Sequence, residues 1–351
     1  MSPARPSCSR DRVMTGDRQD TIAATEAWLD GHGLPWFVES KRAAVAERLS
    51  RRRLVRVAAA ALVVAVAVGV ATGWWRGEPS FGIAWGETTF GVLVTLWSLR
   101  ALYGGSVAGW AARRTLRSLG LLFPLASRAL PMLLLFMTFL FINTEVWQVT
   151  STLKGGVMWQ AVLLFAAIGV GFLLARLPEE LEEYDAELTP ESLVVACRGT
   201  PLESAATEVH LTAEALEEHS DVVGLERGNL VLVLLIAQAI QVLLLSVAVW
   251  AFFLVFGSVA MTDGVINSWV GGDSPHYVGW FGLVSRELVQ VSTFLAAFAG
   301  LYFTVYAVTD KTYREQFFTG VRHELERAVS VRLVYRTLLG EPRGDGVPER
   351  E

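Results

Sequence analysis

Charge, lysine and cysteine are all scarce in this 351-residue chain, and each scarcity removes a class of protein. Charged residues make up 19% of the sequence, where a soluble domain carries about 25%. Lysine occurs only at Lys41, Lys154 and Lys311, and the net charge of −5 offers no basic surface for a nucleic acid. The two cysteines, Cys8 and Cys197, fall in segments read below as cytosolic, so a structural disulfide is not expected, and two cysteines alone make no zinc ribbon. None of the five histidines lies in an apolar run. Arginine far in excess of lysine, with abundant Ala, Val and Gly, points to a GC-rich genome.

What the chain has instead is apolar length. Hydrophobic residues reach 52% and the mean hydropathy is +0.41. Six runs stand out, Val57–Trp75, Phe90–Ala112, Leu130–Gln148, Val157–Leu177, Leu230–Phe256 and Leu288–Val308. Each holds the roughly 20 residues that a helix needs to cross about 30 Å of hydrocarbon. The expected fold is therefore an all-α polytopic membrane bundle of six spans with short cytosolic helices.

Basic residues set the orientation. Lys41 to Arg56 precede the first run, Arg113, Arg114 and Arg117 follow the second, and Lys311 and Arg314 follow the sixth, whereas the opposite connections carry only Arg76, Lys154 and Arg286. Retention of basic residues on the inner side predicts both termini in the cytosol of a bacterial cell membrane. Trp74, Trp75, Trp85, Trp147, Trp159, Trp250, Trp269 and Trp280 fall at or beyond the predicted outer ends, as an interfacial belt requires. The polar residues ahead of the first run, with no cleavage site after it, argue against a signal peptide.

The spans divide the chain into regions 1–53, 54–177, 178–228, 229–309 and 310–351. In the first, residues 1–18 have no apolar period and read as disordered, and Asp20–Leu29 reads as helical up to Gly31 and Gly33. The stretch from Pro35 through Leu49 reads as a basic amphipathic helix lying on the inner leaflet. The second span is ambiguous: placed at Phe81–Leu99 it buries Glu87, and placed at Phe90–Ala112 it buries Arg100. The later placement is preferred because Ala101, Gly105 and Gly109 form a ridge of small residues suited to helix packing. Gly69–Gly73, Ala167–Gly171 and Ala296–Gly300 repeat that spacing.

The 178–228 insert holds fourteen acidic residues against Arg198 and Arg227. Proline after Thr189, and Glu203 three residues after Thr200, mark helix starts. Such a segment is repelled by an anionic leaflet. It is expected to dock on basic surface, either the chain's own at Lys41–Arg56 and Arg314, Arg322 and Arg327, or that of a basic protein partner. After the last span, Phe317, Phe318, Val321, Leu325 and Val329 recur at helical spacing, which predicts an amphipathic helix.

Catalytic patterns come close and fail. Gly104-Gly105-Ser106-Val107-Ala108 falls one residue short of a nucleophile elbow, and no span supplies a histidine base. His323-Glu324-Leu325-Glu326-Arg327 has arginine where a zinc motif needs its second histidine. His210, Glu214, Glu218 and His219 could converge as metal ligands, but a solvated acidic face explains them better. No catalytic residue, metal or cofactor is expected. The chemistry worth following is polarity within the bilayer, at Arg100, Asn143, Thr144, Glu145, Gln238, Gln241 and Gln290. Arg100, Glu145, Gln238 and Gln241 are the principal candidates, with Gln238 and Gln241 on one helix face and able to glue helices together.

Glu226-Arg227-Gly228-Asn229-Leu230, followed by Gln238, Gln241 and Phe252-Phe253-Leu254-Val255-Phe256-Gly257, resembles a group of actinobacterial multi-spanning membrane proteins with no assigned activity. Leu122-Phe123-Pro124-Leu125 and Glu145-Val146-Trp147-Gln148 are similar to the same group. The resemblance implies an inner-membrane protein and supplies no catalytic residues. The expected function is non-enzymatic assembly, scaffolding or signalling association in the membrane, through self-association or a partner. A solute or ion path lined by Arg100, Gln238 and Gln241 is the alternative.

Overall fold

The computed structural model describes residues 10–117, 133–153, 156–182, 190–208, 222, 224–271, 277–278, 284–309 and 327–339. The chain runs α1 (Arg10–Gly31), a 3-10 turn at Pro35–Phe37, α2 (Glu39–Arg48), α3 (Arg51–Arg76), α4 (Pro79–Ala101), α5 (Gly104–Arg117) and α6 (Leu133–Phe141). It continues through α7 (Thr144–Thr152), α8 (Gly156–Glu182), α9 (Pro190–Ala196), α10 (Glu203–Glu208), α11 (Gly224–Ala260) and α12 (Asp263–Val270). A two-stranded antiparallel hairpin, β1 (Tyr277–Val278) and β2 (Val284–Ser285), leads into α13 (Arg286–Thr309), and α14 covers 327–339.

The protein is an all-α polytopic membrane bundle. Helices α3, α8, α11 and α13 are each long and apolar enough to cross a membrane, and two bent pairs raise the number to six if each is one span. Both bends fall inside runs that the sequence reading drew as straight. In the first, α4 occupies Pro79–Ala101 and meets α5 at 92°, so the Phe90–Ala112 span does not form and Arg100 sits in the last turn of α4. The cause is local. Tyr103 adopts a left-handed φ of 55°, a rare conformation for a residue with a side chain, and two flexible glycines follow it. Beyond the bend, the expected small-residue ridge does not pack, because a Cβ at Gly105 would meet nothing within 4 Å.

In the second, α6 and α7 meet at 74° within the expected Leu130–Gln148 span. Asn143 is the reason. Its side-chain oxygen accepts from the N–H groups of Glu145 (2.8 Å) and Val146 (3.3 Å), capping a new helix, while the Trp147 indole donates to the Phe141 carbonyl (2.6 Å). Fully buried Trp147 packs edge-on against Trp269 of α12 at 6.0 Å, so it serves the core rather than an interfacial belt. Trp74, Trp75, Trp85 and Trp159 are exposed.

Helices α3 and α4 form a hairpin that turns at Gly77 (φ 67°). Gly69 and Gly73 lie directly on Gly82 and Gly86, and a Cβ added at Gly82 would come within 2.5 Å of the Gly69 carbonyl oxygen. Small residues bring the two backbones into contact, which is how helices associate in lipid. The hairpin is otherwise peripheral: 11% of the apolar window of α3 is buried, against 50% in α13. Helices α11 and α13 are antiparallel and run through two core clusters. One is built on Met137, Phe141, Trp147, Phe253 and Leu295, and the other on Leu29, Phe37, Val233, Leu333 and Val334.

The N-terminal region differs from expectation. Helix α1 begins at Arg10, ahead of the expected start at Asp20, and Arg18 donates to the Leu338 carbonyl, which ties it to α14. The stretch from Pro35 does not rest on lipid as a whole, since Trp36, Phe37 and Val38 are buried, the last two in the second cluster. The apolar residues expected to head the C-terminal helix (Phe317, Phe318, Val321 and Leu325) lie outside the described residues, but Val329 is buried in α14.

Candidate functional site

Helix α11 has 37 residues, about 55 Å at 1.5 Å per residue, which exceeds the roughly 30 Å of hydrocarbon by several turns. Its first turns carry Glu226 and Asn229, three residues apart and so on one face. Both side chains are buried there, at 2% and 0% exposure, because three distant parts of the chain close over them. We call this place the junction, and the opposite end of the bundle the far end.

Glu226 is the hub. Its Oε2 accepts from Arg332 Nε at 2.7 Å, and its Oε1 accepts from Arg336 Nη2 at 3.2 Å and from Arg42 Nη1. Three guanidinium groups from α2 and α14 thus share one carboxylate. Burial pulls the Arg332 guanidinium below its ordinary pKa, Glu226 opposes that shift, and Arg336 and Arg42 add to it. Beside this cluster, Asn229 Oδ1 accepts from the Trp36 backbone N–H (2.8 Å) and its Nδ2 donates to the Gly33 carbonyl (2.9 Å). Gly33 fits because its φ is 78° and its α-carbon faces the Trp110 ring.

The α4–α5 bend joins the same place. The Trp36 indole donates to the Leu102 carbonyl (2.9 Å), Arg48 donates to the Ala101 carbonyl (3.1 Å), and Lys41 and Arg48 approach the Tyr103 ring at 5.6 and 5.4 Å. Tyr335 donates to Glu26 (2.8 Å), fastening α14 to α1. The junction therefore couples the N-terminal arm, the α4–α5 bend, α11 and α14 in one packed unit. Among the described residues, Glu226 is the acid of the insert that meets the chain's basic residues in this unit, while Arg327 donates to the Arg198 carbonyl (3.0 Å) and stands over the Trp28 ring at 5.4 Å. The acids Glu183, Asp185, Glu187, Glu214, Glu217, Glu218 and Asp221 lie outside the described residues, as do the metal candidates His210 and His219 and the motif at His323.

Cys197 is fully buried in the junction core, and burial pushes its thiol up from 9.0 to about 11 although Arg327 opposes the shift. The folded chain keeps this proton where the unfolded chain loses it, so the associated stability is present below pH 9 and is lost as pH rises from 9 to about 11. We expect Cys197→Ala to remove that alkaline slope from the melting curve, and N-ethylmaleimide to reach Cys197 only after denaturation.

The four sequence candidates are not brought together. Arg100 is exposed at the junction end of α4, where a cation suits the helix C-terminus. Glu145 is exposed in the first turn of α7, where a carboxylate suits the helix N-terminus. Gln238 and Gln241 lie on α11, and neither pairs with Arg100. Gln238 is completely buried with both amide atoms unpaired, and Gln241 Oε1 is unpaired as well. Gln290 is satisfied, donating to the Leu153 carbonyl (3.1 Å). An unsatisfied buried amide costs about 1–3 kcal/mol. Gln238→Leu should therefore raise the melting temperature, and a fall would show that the amide holds a ligand or water in the native protein.

Two cavities open on the bundle flanks. One, of about 410 Å³, lies among α8, α11 and α13, with Ser246, Thr293 and Thr304 as its polar atoms. The other, of about 850 Å³, lies on the α3–α4 hairpin. Arg100, Gln238 and Gln241 line neither. Comparison with protein-family models, curated proteins and solved structures finds no match to this chain.

Sequence reasoning missed the junction because its parts are scattered. The signal available was Glu226 and Asn229 on one face at the mouth of a long apolar run, where polar burial demands partners.

Proposed function

We propose that this protein is a non-enzymatic assembly or scaffold protein of the bacterial cell membrane, with the junction and both termini on the cytoplasmic side. The supporting observation is the dispersal of the bilayer polar groups. Arg100 and Glu145 belong to helix ends, Gln238 is sealed, and neither flank cavity described above contains any of the four candidates. A peripheral hairpin and a junction that holds α1, α2 and α14 together suit a protein that presents surfaces to others. The arginine asymmetry supports the orientation.

A mild-detergent purification tests the reading. A stable self-complex or a stoichiometric companion is expected, and a lone monomer that moves solute in vesicles would replace assembly with transport. The transport reading has one observation in its favour, the unpaired amide of Gln238. Orientation is tested by cysteine accessibility: Ser274→Cys should label from outside and Ser192→Cys only after permeabilisation, and the reverse would invert the map.

A further inference from the structure

The observed bounds of α4 move Arg100 to a helix end and bring Glu87 inside the apolar helix of the first bent pair. Glu87 lies about 12 Å along the axis from Pro79, roughly a third of the way through the helix. Its side chain is exposed on the hairpin surface and makes no hydrogen bond or ion pair with any described residue. The neighbouring hydroxyls are already used, since Thr88 donates to the Ala84 carbonyl and Thr89 to the Trp85 carbonyl, both at 2.7 Å. Glu87 is also the one charged residue lining the 850 Å³ groove, whose floor is Gly69, Gly73 and Gly82 and whose walls include Val66 and Phe90.

A carboxylate at this depth has no counterpart in acyl chains, and polar groups inside bilayers face protein partners or water-filled cavities. We infer that the α3–α4 groove docks a transmembrane helix of another protein, one carrying a single lysine or arginine at the depth of Glu87. This rests on the assembly reading and names the partner's chemistry.

Charge complementarity selects the occupant. The bases of the hairpin that flank Glu87, Arg76 and Arg100, lie at the two ends of the membrane segment, so a second copy in the same orientation brings no cation to the level of Glu87. It would bring another carboxylate. A lipid chain would fill the groove and leave the charge uncompensated. A basic helix does both jobs.

The test uses the full-length chain in phosphatidylcholine vesicles with a designed Leu/Ala transmembrane helix as probe. The probe carries one lysine about 12 Å from the end that inserts alongside Pro79, and its control carries leucine there. Energy transfer between labelled chain and probe reports association. The lysine helix should bind the wild type about tenfold more tightly than the control, the size expected of one polar contact between helices in lipid. Glu87→Gln should erase that preference, and Glu87→Lys should transfer it to a probe carrying glutamate. Equal binding of both probes overturns the inference. So do disulfides between two copies of an Ile83→Cys chain in the absence of probe, because a second copy then occupies the face. Glu87→Gln should melt as the wild type does, and its unfolding would contradict an unpartnered carboxylate. Loss of the tenfold preference sinks the basic-helix partner alone. The assembly reading falls only if the native complex is missing from mild detergent.

Discussion

Glu226→Ala should open the junction. The substitution removes the carboxylate that buried Arg332 shares with Arg42 and Arg336, and breaking a buried ion cluster in this way costs about 3–5 kcal/mol. Arg332 has a side chain 2% exposed, so it cannot turn to water without moving α14. Hydrogen exchange should accelerate in 327–339 and in the Pro35–Arg48 arm together, since both are held through the same carboxylate. The double variant Glu226→Leu with Arg332→Leu should recover much of the loss, because an apolar pair of similar volume avoids the desolvation cost, and Arg42 and Arg336 are exposed enough to hydrate. If Glu226→Ala melts like the wild type, the junction is wet and the hub is not structural.

Gly82→Val should separate the α3–α4 hairpin. The new Cβ would stand 2.5 Å from the Gly69 carbonyl oxygen and 2.9 Å from the Gly73 α-carbon. Both are backbone atoms, so no side-chain rotation relieves the clash and one helix must shift. Overpacking costs about 1–3 kcal/mol in ordinary cores. Here the loss should reach the upper end of that range, because backbone contact is most of what joins the two helices. A disulfide between Ala65→Cys and Gly86→Cys should form readily in the parent and slowly in the Gly82→Val background. Gly91→Ala is the control: its Cβ would meet nothing within 4 Å, and alanine favours helix by up to about 1 kcal/mol. A Gly82→Val chain that still forms the disulfide at the parent rate would show that the glycines are not what holds the hairpin closed.

The long apolar runs made the bundle legible, since chain length and hydropathy alone force a span. The bends were written in the sequence too, in Asn143 with Glu145 and in the glycines after Tyr103. In lipid a polar residue within an apolar run invites a reading as buried function, and a helix cap uses the same residues. That ambiguity turned Asn143 and Glu145 into intramembrane candidates when they mark the start of α7. Preference for a small-residue ridge drew Arg100 into the middle of a span and left Glu87 ahead of it, whereas the backbone at Tyr103 ends α4 just after Arg100 and keeps Glu87 inside that helix. The junction was beyond reach for another reason. Gly33, Trp36 and Arg42, Glu226 and Asn229, and Arg332 and Arg336 come together only through folding, and no local pattern announces a contact across 184 residues.

The Glu226–Arg332 contact closes a loop of 106 residues, and that fixes an order of events during biosynthesis. At about 5–20 residues per second, Glu226 leaves the ribosome about 5–20 s before Arg332 does. In that interval the N-terminal arm is already available, and Arg42 can hold the carboxylate by itself. The arm thus acts as a placeholder for α14, keeping the mouth of α11 covered while α13 is still being threaded into the bilayer. Helix α14 then closes over Glu226 and the apolar mouth of α11 once it is made.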